Sequence, residues 1–157
     1  MKKLIVLFAL FVGSLAVTSC AQTKEVQMDK FQSTYNALKG LVETKNYEFI
    51  GEVVYNNKKR EVFEDDSNSF KINKSEVSGK ITSLSTDAKV FNVNGTIKDY
   101  KVSFNDNKQQ IAIQFRVISD NQNFDVYLDI KSNGKTFITY KFSAESMISQ
   151  VGKLQSL

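Results

Sequence analysis

The chain has no histidine, no proline and a single cysteine, Cys20, in 157 residues. Each absence closes a class of chemistry. Without histidine there is no Ser-His-Asp triad and no Cys-His pair. Zinc sites draw on clusters of His or Cys, which one cysteine cannot form, and that cysteine has no partner for an intrachain disulfide. The 7 glycines are scattered over turns and strand interiors, so no phosphate-cradling loop is present. No cofactor and no metal are expected. The lack of proline means that no strand is interrupted by a residue unable to donate to a ladder. A dominant charge sign is missing too. Loss of Lys2 and Lys3 with an N-terminal leader would leave 19 basic against 17 acidic residues, too close to balance to favour nucleic acid.

Long apolar runs are also absent, except at the N-terminus. Met1-Lys2-Lys3 is a positive head, Leu4 to Val12 is unbroken apolar sequence, and Gly13, Ser14 and Ala16 are small. This order predicts a secretory signal peptide over residues 1–19. Leu4 to Val17 gives 14 residues, short of the ~20 that a membrane-spanning helix needs. Cleavage could follow Ala21, or it could precede Cys20, because Val17-Thr18-Ser19-Cys20 resembles the bacterial lipobox, whose cysteine accepts diacylglycerol. An unpaired thiol in an exported chain needs an explanation. Lipidation at Cys20 supplies one, and two or more acyl chains anchor a protein stably where one does so marginally. The expectation is therefore a lipoprotein signal peptide at 1–19, a tether at 20–27 spanning at most about 25 Å, and a single domain over 28–157.

That domain opens with a helical stripe. Met28, Phe31, Tyr35, Leu38 and Val42 recur at steps of three and four. After Asn46 the period becomes two. Tyr100, Val102 and Phe104 form one apolar face, and Ile111, Ile113, Phe115 and Val117 a second. Phe124, Val126, Leu128 and Ile130 form a third, and Ile138, Tyr140 and Phe142 a fourth. Parity sets their register. A tight loop at Asn107-Lys108 puts Phe104 opposite Ile111, and one at Asp120-Asn121 puts Arg116 opposite Asp125. At Ser132-Asn133-Gly134 a two-residue loop would throw the faces out of step, whereas a three-residue loop with Gly134 in a left-handed bulge restores Leu128 opposite Ile138. Upstream, shorter strands are expected at Tyr47–Tyr55, Glu61–Phe63, Phe70–Asn73, Val77–Leu84 and Lys89–Val93, with a turn at Asn94-Gly95. The fold class is mainly β, or α+β by count. It is a single antiparallel curled sheet, closed into a barrel or folded into a sandwich, with one N-terminal helix.

Carboxylates are the remaining candidates for chemistry. Glu64-Asp65-Asp66-Ser67-Asn68-Ser69 offers hard oxygen ligands but lacks the glycine and distal glutamate of a calcium loop, and a solvated turn is the expectation. Asp125 and Asp129 share a strand face about 13 Å apart, beyond the roughly 5–9.5 Å of paired glycosidase carboxylates. Arg116 opposite Asp125 instead makes a cross-strand ion pair. No residue is assigned a catalytic role. Tyr127, Gln114, Phe137, Arg116 and Asp125 form a candidate partner-contact patch, since aromatic residues and arginine are enriched at binding hot spots.

Several segments together resemble a family of small exported domains of unknown function found in Bacteroidota. Tyr47 and Phe49 fit its "Y-x-F" motif, and Phe91, Gly95, Ile97, Asp99 and Tyr100 fit its "I-x-F-x-G-x-I-x-D-Y" stretch. Ser75-Glu76-Val77 departs from the family's "D-S-V", and Ile81-Thr82-Ser83-Leu84 replaces its Pro-aromatic piece. The resemblance covers residues 28–154. It implies a helix followed by an antiparallel β domain and an envelope address, and it carries over no functional residue. Ala21 to Glu25 holds one acid, unlike the acidic cluster that follows the cysteine in surface-exported lipoproteins of that phylum, so a periplasm-facing anchor is expected. The functional expectation is a non-catalytic binding or accessory lipoprotein, held to the membrane by its N-terminal lipid, that takes a protein partner or a small apolar ligand. The alternatives are a carboxylate-dependent hydrolase using residues 64–66 and an inhibitor or immunity-type protein against an envelope-directed enzyme.

Overall fold

The computed structural model describes residues 25–56, 58–63, 68–84, 90–119, 122–144 and 146–157. Helix α1 covers residues 25–44, so it takes in the last three residues of the expected tether. Nine strands follow: β1 (Asn46–Tyr55), β2 (Arg60–Val62), β3 (Ser69–Asn73), β4 (Glu76–Thr82), β5 (Val90–Asn105), β6 (Gln110–Ile118), β7 (Phe124–Ile130), β8 (Lys135–Lys141) and β9 (Met147–Ser156). Eight of them, β1 and β3 to β9, form a closed antiparallel barrel, because β9 pairs back onto β1. The short β2 extends the edge of β1 beyond the point where β3 leaves it.

Eight strands leave a lumen just wide enough for side chains, and this chain fills it. Tyr47, Phe49, Phe70, Ile72, Ile113, Phe115, Ile138 and Tyr140 are all at most 2% exposed. Their rings form a column: Tyr100 on Phe115 at 5.6 Å, Phe115 on Phe70 at 6.2 Å and Phe70 on Tyr140 at 5.5 Å. The Tyr140 hydroxyl is buried without a hydrogen-bond partner among the described residues.

Helix α1 closes one end by burying Tyr35, Leu38 and Val42. Burial of side chains such as Leu38 and Val42 contributes about 1.5–3 kcal/mol each. The stripe is shorter than expected. Met28 is 67% exposed, because the helix has already passed the barrel wall there, so the packed face starts at Phe31. The helix ends at Lys45, whose φ of 51° takes the left-handed position usual for a glycine. The Lys45 carbonyl accepts the Lys74 N–H of the β3–β4 turn at 2.6 Å. The Tyr35 hydroxyl and the Lys39 ammonium both donate to Asp106 in the β5–β6 turn, at 2.8 and 2.9 Å. Within the barrel mouth, the Tyr47 hydroxyl donates to that of Tyr100 at 2.9 Å, and Tyr100 donates to the Val42 carbonyl at 3.4 Å.

The expected registers hold. Phe104 lies opposite Ile111, Arg116 opposite Asp125 and Leu128 opposite Ile138, and Gly134 has a φ of 84°. The expected Asn94-Gly95 turn is absent. Both residues lie inside the 16-residue strand β5, opposite Ser78 and Val77. A Cβ on Gly95 would lie 2.6 Å from the Ile118 carbonyl oxygen, so this glycine serves the close approach of β6. The break in β5 is a bulge further along, where Asp99 and Tyr100 together oppose Phe115. Asp99 has a φ of 55°, a left-handed conformation that aspartate tolerates better than most residues. The extra residue moves the inward positions from Phe91, Val93 and Ile97 to Tyr100, Val102 and Phe104.

Strand β9 closes the barrel and has no counterpart in the sequence reading. Its inward positions include Gln150 and Gly152, which hide the alternation. Gln150 is 0% and Asn68 1% exposed. Their side-chain amides exchange hydrogen bonds at 2.9 and 3.2 Å, and each bonds the backbone of Thr82. This amide pair bridges the wall where β1 passes from β3 to β2.

Candidate functional site

The registers of β5 to β8 line up their outward side chains in rows across the strands. Lys101, Gln114, Tyr127 and Thr139 make one row, and Ser103, Ala112, Asp129 and Phe137 make the next towards the helix. Ser103 and Ala112 are too small to fill the space between their neighbours. The result is a groove of about 520 Å³ across four strands, with Lys101 at one end and Tyr127 and Phe137 towards the other. Four strands at their usual spacing set its length at about 14 Å.

A third row, on the side away from the helix, is charged. Arg116 grips Asp125 with two bonds, Nε to Oδ1 at 2.8 Å and Nη2 to Oδ2 at 3.2 Å. These bonds hold the Asp125 carboxyl below the usual carboxylate range. Asp129 accepts from Gln110 at 2.5 Å and from Lys131 at 2.6 Å. Both aspartates are thus engaged by neighbouring donors. Lys131 and Lys135 approach the Phe137 ring, at 6.0 and 5.7 Å from its centre. Lys98 and Lys101 are exposed at the β5 end.

Of the patch expected from sequence, Gln114, Tyr127 and Phe137 line the groove. Arg116 and Asp125 stand beside it without lining it. Lys101, Ser103, Ala112 and Thr139 were not anticipated. The register that pairs Val102 with Ile113 also places Ser103 beside Ala112, and two adjacent small residues signal a depression, although neither carries a reactive group. Cys20 and residues 64–67 lie outside the described residues, whereas Asn68 and Ser69, expected in a solvated turn, are a buried amide bonded to Gln150 and the start of β3. Among the described residues no three His, Cys, Asp or Glu side chains gather to hold a metal, and no helix is long and apolar enough to cross a membrane.

No curated protein matches the chain. A DUF4251 family protein from Bacteroides eggerthii DSM 20697 has a similar solved structure, with a TM-score of 0.68 at 13% identity, covering 79% of this chain and 88% of that one. At that identity the likeness speaks for the fold. The family model described as "Domain of unknown function (DUF4251)" matches residues 29–154, from the second turn of the helix to near the end of β9. The chain therefore belongs to the DUF4251 family of domains of unknown function.

Proposed function

We propose that this chain is a non-catalytic docking domain, tethered to the cell envelope through a lipid on Cys20 and facing the periplasm. Its outer groove receives an extended acidic segment of a protein partner. The groove carries this reading. Its small floor at Ser103 and Ala112 admits a main chain, and Tyr127 and Phe137 offer the aromatic contact area typical of hot spots. A length of about 14 Å suits about four extended residues. Lys131 is paired with Asp129, which leaves Lys98, Lys101 and Lys135 around the groove to favour acidic side chains in the occupant.

The test is a photo-crosslinking residue placed at Ala112 on the groove floor and, as a control, at Lys80 on the outer face of β4. The expected result is one crosslinked envelope protein from position 112, absent from position 80 and lost on adding Lys101→Glu and Tyr127→Ala. Equal crosslinking from both positions, or none from 112, overturns the groove. An envelope-directed enzyme as the partner would assign the chain to the inhibitor class. The tether is tested separately by labelled palmitate, which should enter the wild type and not Cys20→Ala. A chain unlabelled in both cases is a released one.

A further inference from the structure

The aromatic column does not stop inside the barrel. Beyond Tyr140 it continues to Phe124 at 6.4 Å, then to Phe142 at 4.9 Å, and from Phe142 to Phe91 at 5.5 Å. These last rings sit at the end opposite the helix, and Phe91 and Phe142 are only partly buried. Beside them is a pocket of about 280 Å³, lined also by Val90, Asn92 and Gln122. Val90 is 55% exposed. None of the described residues lining the pocket is ionisable.

We propose that this mouth is a binding site for a small, neutral, single-ring aromatic molecule, whose ring extends the column by one member. Three features select that class. The exposed faces of the terminal rings reward a flat π-system in offset stacking, which a saturated ring or an acyl chain cannot supply. The volume exceeds the ~150 Å³ cavity that holds benzene and falls just below the ~300 Å³ lower bound of drug-sized pockets, so one substituted ring fits. Among the described residues the wall offers a charged ligand no counter-charge for its lost hydration, whereas the amides of Asn92 and Gln122 can both donate to and accept from a hydroxyl or amide substituent. The site is separate from the outer groove, and it stands whether or not that groove binds a partner.

The test uses p-cresol and its saturated counterpart, 4-methylcyclohexanol, titrated into the purified protein and followed by NMR. Saturable shifts with p-cresol should centre on Asn92, Gln122, Phe124 and Phe142, and 4-methylcyclohexanol should bind about tenfold more weakly. Phe91→Leu, which removes the last ring of the column, should abolish the p-cresol shifts, and Asn92→Ala, on the exposed rim and harmless to folding, should weaken them severalfold. Tyr127→Ala on the outer face should leave them unchanged. Absence of saturable shifts, shifts centred elsewhere, or equal binding of the saturated ring overturns the proposal.

Discussion

The two ends of the barrel are built differently. At the helix end the connections β3–β4, β5–β6 and β7–β8 are short, and two of them bond directly to α1 through Lys74 and Asp106. Three buried helix residues and the Tyr47–Tyr100–Val42 relay complete the closure. At the other end, β2, β4, β6 and β8 hand over to their successors around the half-buried rings of Phe91 and Phe142. Four of the exposed large apolar side chains, Val62, Val90, Ile118 and Met147, lie on strands at this rim. Among the described residues, contacts that hold a fold are concentrated at one end and exposed apolar side chains at the other. Binding surfaces are commonly drawn from the less stable parts of a structure, and the proposed aromatic site lies at the end with fewer such contacts.

The comparison breaks most directly by truncating one large side chain at each end. Tyr35→Ala removes a ring that is 2% exposed and should cost about 3–5 kcal/mol. Phe142→Ala, at the half-buried rim, should cost about 1 kcal/mol. Urea unfolding midpoints measure both. Equal losses would mean that the rim stabilises the fold as much as the helix does.

The rim has one strong fastening, the buried pair of Asn68 and Gln150. Gln150→Leu keeps the bulk but leaves the Asn68 amide and the Thr82 carbonyl short of partners, a cost of about 1–3 kcal/mol. The same urea measurement applies. A neutral outcome would show that the amides reach water, and that the wall between β2 and β4 is open in solution.

How far the sequence foretells this division depends on which physical signal each element carries. Strands β6, β7 and β8 alternate cleanly between apolar and polar, and Gly134 dictates its turn, so the registers follow from parity alone. Strand β9 contributes Gln150 and Gly152 to the interior, and its remaining apolar residues, Ile148, Val151 and Leu154, fall at helical rather than strand spacing. Barrel closure depends on that strand and was therefore hidden. The bulge at Asp99 left a trace, the shift of apolar residues from odd to even numbers along β5, which the Asn-Gly pair at 94–95 diverted into a turn. Tyr127 and Phe137 stood out as exposed aromatics, but the groove beside them is made by what Ser103 and Ala112 lack. A search for reactive groups does not see a hole.

The helix end carries a pH dependence of its own. Burial first, and then the neighbouring Tyr100, push the Tyr47 hydroxyl well above its ordinary value of 10.0, and burial raises Tyr100 as well. The folded state therefore keeps these protons longer than the unfolded chain. The stability linked to them is full below pH 10.0 and is lost as the pH rises through the higher folded values. Tyr47→Phe should cost about 0.5–1.5 kcal/mol at neutral pH and flatten part of the alkaline loss. Tyrosinate absorbance and unfolding followed in one titration report both. Ionisation well before unfolding would mean that the relay is open to solvent.

The smallest expected effect concerns Asp106, the joint between helix and barrel. The bonds from Lys39 first, and then from Tyr35, hold its carboxyl below the ordinary 3.8. Its contribution is present above pH 3.8 and disappears as the pH falls through the lower folded value. Asp106 is exposed, so solvent screens the pair, and little global stability should be at stake. The effect should instead be local. NMR signals of Tyr35 and Lys39 should titrate together below pH 3.8 in the wild type and stay flat in Asp106→Asn, with the rim signals of Asn92 and Gln122 unmoved in both. Titration at the ordinary value would mean that the joint is unmade in solution and that packing of Tyr35, Leu38 and Val42 alone holds the helix. The two ends would then differ in apolar burial, and the polar bonds at the helix end would follow from that burial without adding to it.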